Sequence, residues 1–139
     1  AGLGDGKLVI REVPGASEGM GASIRAGAGW AGASGAARLM ILLADLPDLE
    51  TADLVGMCIA AARAPGTIWR AQDASGMPGH PVIFPARLFP ALTQVTGDTG
   101  ARDALRGETV HRYRLPGTRA TTDLDTPAAW AAWRARSGR

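Results

Sequence analysis

The chain has 139 residues, 46% of them hydrophobic and 20% charged, with a formal net charge of +2. That length suits one domain with a real core, and the composition excludes a disordered or fibrous chain. No block of Lys and Arg points to nucleic acid, and no apolar stretch reaches the ~18 residues of a membrane span.

A single cysteine, Cys58, rules out an internal disulfide and fits a reducing compartment. The N-terminus lacks the basic-plus-apolar pattern of a secretory signal, so a cytoplasmic location is expected. In chain order, Leu8-Val9-Ile10 with Val13 predicts a short strand, and Pro14 to Ser17 a loop. Small residues dominate from Met20 to Trp30, where Ile24, Ala28 and Ala31 share one helical face. Gly27 and Gly29 weaken the intrinsic propensity there, so packing must hold this helix. Leu39 to Ala44 is a continuous apolar run. It predicts a strand buried on both faces, as in a helix-covered sheet, with Pro47 turning the chain away afterwards.

Thr51 is placed to cap a helix over 52–63, with Leu54, Met57, Cys58 and Ala61 on its inner face. Cys58 is therefore expected in the core. Thr67 to Ala71 reads as a strand, Asp73 to Gly79 as a turn-rich loop, and Pro81 to Phe84 as a short strand. Ala86 to Gln94 predicts a short helix bent at Pro90. Gly97 to Gly100 forms a loop that leads into a helix over 101–106. Thr109 to Arg114 alternates in polarity like an edge strand. Thr126-Pro127 is a helix start, with Thr as cap and Pro at the first helical position. Strands alternating with helices give an α/β fold, read here as one domain over residues 1–139.

Several residues could carry chemistry. Asp45 follows the apolar strand at the end where open α/β sheets bind ligands. It reads either as a Mg²⁺ ligand beside phosphates or as the acidic residue common in turns before proline. Asp123 and Asp125 form a second acidic pair before a capped helix. Asp125 could complete the metal site or simply favour its helix N-terminus. Gly19, Gly21 and Ser23 precede or open a helix, where exposed amides can meet a nucleotide or an anion; a plain glycine turn is the alternative. His80 could touch substrate or sit at a turn, while His111 reads as structural. Arg102 could hold a phosphate or pair with Asp98 or Asp103. Two histidines and one cysteine make no zinc site, and Ser23 has no local base to make it a nucleophile.

Five segments, in this order, resemble the MobA-like nucleotidyltransferases. They are Gly19 to Gly27, Leu42 to Pro47, Gly79-His80-Pro81-Val82, Gly97 to Arg102, and Asp123 to Pro127. The similarity covers about Leu8 to Trp133, and molybdenum cofactor cytidylyltransferase is the branch it most resembles. Met20-Gly21-Ala22-Ser23 and Asp125 favour that branch over the guanylyltransferases. The resemblance implies a Rossmann-like three-layer α/β/α sandwich with a mostly parallel sheet. It also implies transfer of CMP from CTP to the phosphate of molybdopterin, with release of pyrophosphate. Asp45 and Asp125 then match the catalytic, Mg²⁺-binding acids. Gly19, Gly21 and Ser23 match the nucleotide-facing loop, and His80 and Arg102 fall near the acceptor pocket.

The family opens with a strand and a loop of the form Gly-x-Ser-x-Arg-Met-Gly-x-x-Lys, which nothing here matches. Lys7, the only lysine, stands in another context. The chain is thus expected to correspond to the C-terminal two thirds of the family domain, its N-terminal part missing. Alternatives are a related transferase using GTP, or one with a sugar phosphate or phospholactate acceptor. A non-catalytic fragment acting as a binding module is a third.

Overall fold

The computed structural model describes residues 9–97, 102 and 104–138. Its elements are α1 (Met20–Ala33), β1 (Arg38–Ile41), α2 (Thr51–Arg63), β2 (Ile68–Gln72), β3 (Pro78–Pro85), α3 (Phe89–Leu92), β4 (Val110–Arg114) and α4 (Pro127–Ser137). The strands form one sheet in the order β1-β3-β2-β4. β3 is antiparallel to both its neighbours, and β4 is parallel to β2. Three strands therefore run the same way and β3 is reversed, so the sheet is mixed. Helices on both faces complete the α/β/α layering that the resemblance implied.

One face of the sheet packs Ile68, Val82 and Phe84 against Ile24, Ala28 and Ala31 of α1 and Phe89 and Leu92 of α3. The other packs Ala71 and Ile83 against Met57 and Ala61 of α2, closed by Leu115 and Ala120. The inner face expected for α1 is the one observed. With so many glycines, α1 depends on tertiary contact. Its Gly21 N–H donates to the Gly97 carbonyl at 3.1 Å. A Cβ on Gly21 would lie 2.6 Å from that oxygen, so only glycine permits the approach.

Four expectations need correction. Residues 9–13 form no strand, and Ile10 is 88% exposed, because no neighbouring strand pairs with them among the described residues. β1 ends at Ile41 and is half-buried throughout, and Leu42 is exposed. It is an outer strand among the described residues, so the apolar run is not enclosed on both faces. α2 begins at Thr51 itself, with Glu50 as the preceding cap residue. The Asp53 carboxylate accepts the Glu50 N–H at 3.0 Å and pairs with Arg119 at 3.1 Å. Arg119 also reaches Glu50 at 2.8 Å. This network turns the inner stripe to Asp53, Met57 and Ala61, and leaves Cys58 exposed rather than in the core.

The β2–β3 hairpin is longer than the sequence predicts, with β3 taking in Pro78, Gly79 and His80. Asp73 explains it. Its buried carboxylate accepts Ser75 N–H at 2.9 Å, Ser75 Oγ at 2.6 Å, Met77 N–H at 2.9 Å and Thr121 Oγ1 at 3.0 Å. The turn is thereby shortened and pinned to the segment after β4. α4 starts as expected, with Thr126 Oγ1 accepting the Ala129 N–H at 3.1 Å. Trp133 docks α4 by donating its Nε1–H to Asp48 at 2.8 Å. Of the loop predicted over 97–100 and the helix predicted over 101–106, residues 98–101 and 103 lie outside the described residues; Arg102 and Ala104 are helical, and residues 105–106 form a turn.

Candidate active site

β1, β2 and β4 all point their carboxyl ends to one edge of the sheet, and reversed β3 begins there. Four side chains gather at that edge. Asp45 lies in the turn after β1, Arg70 near the end of β2, His80 in the first part of β3, and Asp123 ahead of α4. Local chemistry fixes each. The Asp45 carbonyl accepts the Leu124 N–H at 3.1 Å, which ties the turn after β1 to the Asp123–Asp125 segment. Gly79 lets β3 press against that same stretch: a Cβ there would lie 1.8 Å from the Ala120 oxygen, which accepts the His80 N–H at 2.9 Å. Arg70 donates its Nε–H to the Gly79 carbonyl at 3.0 Å.

Arg70, His80 and Asp123 line one cavity of about 250 Å³, together with Leu43, Leu46, Pro78, Gly79, Ala120 and Thr121. A second groove of similar size, about 250 Å³, runs along β1 and is lined by Met20, Ser23, Ile24, Gly27 and Leu39 to Leu43. The two meet at Leu43, two residues before Asp45. Asp45 Oδ1 is buried and has no hydrogen-bond partner among the described residues. A buried carboxylate oxygen is rarely left unpaired. Burial lowers the His80 pKa below the ordinary imidazole value. The nearby Arg70 lowers it further, against an opposing pull from Asp45. His80 is thus neutral at neutral pH.

The predicted site residues divide into three groups. Asp45 and His80 come together, with Arg102 near enough for its charge to act on Arg70. Gly19, Gly21 and Ser23 stand at the start of α1, and Ser23 faces the groove beside β1. Asp125 is exposed and lines a third groove with Thr126, Pro127, Trp130 and Arg134. Asp123, not Asp125, shares the cavity with His80. Among the described residues no group of three or more His, Cys, Asp or Glu is arranged to hold a metal. A cation here would need ligands from elsewhere, as Mg²⁺ commonly takes from phosphates and water. The orphaned Asp45 oxygen fits that requirement. Arg70 escaped the sequence reading because it lies inside a strand pattern. An arginine at a core-facing register position was the available signal.

The fold and this edge define an α/β domain with its ligand crevice beyond the carboxyl ends of the strands. Residues 3–114 match the family model for the MobA-like NTP transferase domain, and the chain belongs to that family. Three solved structures are similar. Rv0371c of Mycobacterium tuberculosis H37Rv, in a complex with manganese, is 25% identical with a TM-score of 0.58, over 70% of this chain and 52% of that one. A second structure of Rv0371c gives 25% identity and a TM-score of 0.59, over 70% and 51%. Its homolog from Mycobacterium sp. strain JC1 gives 27% and 0.67, over 84% and 58%. The chain thus spans little more than half the length of these structures. Among curated proteins none matches.

Proposed function

We propose that this chain carries the acceptor side and the metal-binding acid of a nucleotidyltransferase. It would move CMP from CTP to the phosphate of molybdopterin and release pyrophosphate. The observation that carries the reading is Asp45. Its buried oxygen, with no hydrogen-bond partner among the described residues, lies two residues past Leu43, which lines two grooves, one bordered by the start of α1 and the other by His80 and Arg70. The α1 groove suits the nucleotide and the His80 cavity suits the acceptor. The family match and the manganese in one neighbour support a divalent cation at Asp45. We assign it as Mg²⁺, with Asp125 as the second acidic ligand: it follows Leu124, which bonds the Asp45 carbonyl, and its side chain would turn from the α4 groove to reach the cation.

When bound, such a cation neutralises charge shared by nucleotide and acceptor phosphates. The acceptor phosphate oxygen attacks the α-phosphorus in line, and the bond to the β-phosphate oxygen breaks. No protein nucleophile is needed. The protein's part is positioning and charge stabilisation. Neutral His80 can donate one hydrogen bond to the acceptor and adds no positive charge to repel the cation. No helix among the described residues is long and apolar enough to cross a membrane. We read residues 1–139 as one domain and place it in the cytoplasm, where the cysteine usage fits.

The test is pyrophosphate release with molybdopterin and either CTP or GTP, in parallel with Asp45→Asn. Mg²⁺ and Mn²⁺ binding is followed by calorimetry. The substitution is expected to abolish transfer and weaken cation binding while leaving the circular dichroism unchanged. Full activity in Asp45→Asn would sink the metal assignment, and turnover with GTP alone would move the reading to a guanylyltransferase.

A further inference from the structure

Arg70 and Arg112 are register partners on adjacent parallel strands. Neighbouring strands lie roughly 4.8 Å apart, and partners point to the same face. Ile68 and Val110, two positions earlier on the same strands, pack into the core on the α1 side. Arg70 and Arg112 therefore project from that same face, one pleat nearer the carboxyl edge. The charge of Arg102 also reaches Arg70. None of the three forms an ion pair among the described residues. Other arginines here do pair: Arg25 with Glu18, Arg87 with Glu108, and Arg119 with Glu50 and Asp53.

Like charges placed directly opposite on a sheet are destabilising. Burial, then Arg112 and Arg102, holds the Arg70 pKa below the ordinary guanidinium value. Among the described residues no carboxylate pairs with these cations, at the edge where the ligand crevice lies. We infer that Arg70 and Arg112 form a cradle for a phosphate or diphosphate group, with Arg70 bridging the cradle to the His80 cavity. Guanidinium groups suit this anion because their donors match phosphate oxygens in pairs. Two adjacent guanidinium groups match a multiply charged anion better than a single carboxylate. The absence of any longer basic run argues against a nucleic-acid backbone.

The inference deepens the transfer reading by giving its acceptor or leaving group an anchor. It rests on that reading only for the source of the anion. The test accordingly omits nucleotide and metal. Inorganic pyrophosphate and glycerol phosphate are titrated separately into the protein in EDTA, with calorimetry and thermal unfolding as readouts. Saturable binding and a raised midpoint are expected with at least one of them. Tighter glycerol phosphate assigns the cradle to a phosphomonoester acceptor, and tighter pyrophosphate to the nucleotide's leaving group.

Arg112→Gln should weaken binding roughly tenfold to a hundredfold, the loss expected for one charge-assisted contact. It should also raise the midpoint of the ligand-free protein, because a repulsion is removed. A purely structural arginine would lower it. Arg134→Gln, on α4 and outside the cradle, should change neither. Asp45→Asn should still bind the anion, which separates failure of the cradle from failure of the metal assignment. No saturable binding of either anion, or unchanged affinity in Arg112→Gln, would overturn the inference.

Discussion

Gly79→Ala tests how the site is held. The added Cβ would stand 1.8 Å from the Ala120 oxygen and 2.6 Å from its carbonyl carbon. Real Cβ atoms keep more than 3.0 Å from such neighbours, so one backbone segment must retreat by over 1 Å. That retreat breaks the hydrogen bond from His80 N–H to Ala120, a loss of about 1 kcal/mol. Overpacking adds about 1–3 kcal/mol. The expected destabilisation is therefore about 2–4 kcal/mol. Urea unfolding should show it as a lower midpoint with an unchanged slope. Gly29→Ala provides a control of opposite sign. Gly29 is exposed within α1, with nothing within 4 Å of its would-be Cβ, so alanine should stabilise by about 0.5–1 kcal/mol. If Gly79→Ala stays within about 0.5 kcal/mol of the parent, as an ordinary surface change would, the close approach of β3 to the 116–121 segment is wrong. The positions assigned to His80 and Arg70 would fall with it.

Two further outcomes follow from single side chains. Cys58 is exposed, so a maleimide should label the native protein about as fast as the urea-unfolded one; strong protection in the native state would restore the core assignment. The hydrogen bond from Ser75 Oγ, chief among those it accepts, holds Asp73 below the usual carboxylate pKa. A carboxylate whose folded pKa is depressed stabilises above its unfolded value of about 3.9, and loses that contribution as pH falls through the folded value. The stability gap between the parent and Asp73→Asn should therefore stay constant at neutral pH and shrink below about pH 4. A gap that persists to about pH 2 would contradict the hydrogen-bonded turn.

How much of this was legible in the sequence depended on how local the cause was. Ile24, Ala28 and Ala31 announce the inner face of α1 by spacing alone, and Thr126-Pro127 announces the start of α4 by its own chemistry. Cys58 was misplaced because the residue that orients α2 is Arg119, 66 positions from its partner Asp53. No periodicity within the helix reveals that pairing. The Leu39–Ala44 run is apolar, yet burial depends on what lies beside a strand, and β1 has a described neighbour on one side only. Asp45 and His80 could be singled out from their places after and before apolar strands. Arg70 and Arg112 could not be paired in advance, because a parallel ladder joins strands that are far apart in sequence.

The charges at the carboxyl edge do not neutralise one another by ion pairs among the described residues. Asp45 and Asp123 come from the turn after β1 and the approach to α4, Arg70 and Arg112 from β2 and β4, and Asp123 shares the His80 cavity with Arg70. Among the described residues no ion pair joins the two sets, although Asp45 and Arg70 both act on His80. Had Arg70 turned to Asp45, a salt bridge would have satisfied the buried carboxylate oxygen, leaving neither group free for a ligand. The carbonyl of Gly79 instead accepts the Arg70 Nε–H at 3.0 Å. The close packing that Gly79 permits therefore does more than shape a hairpin. It leaves a carboxylate to meet a cation and a guanidinium to meet an anion within one crevice. A substitution that disturbs Gly79 should damage both halves together.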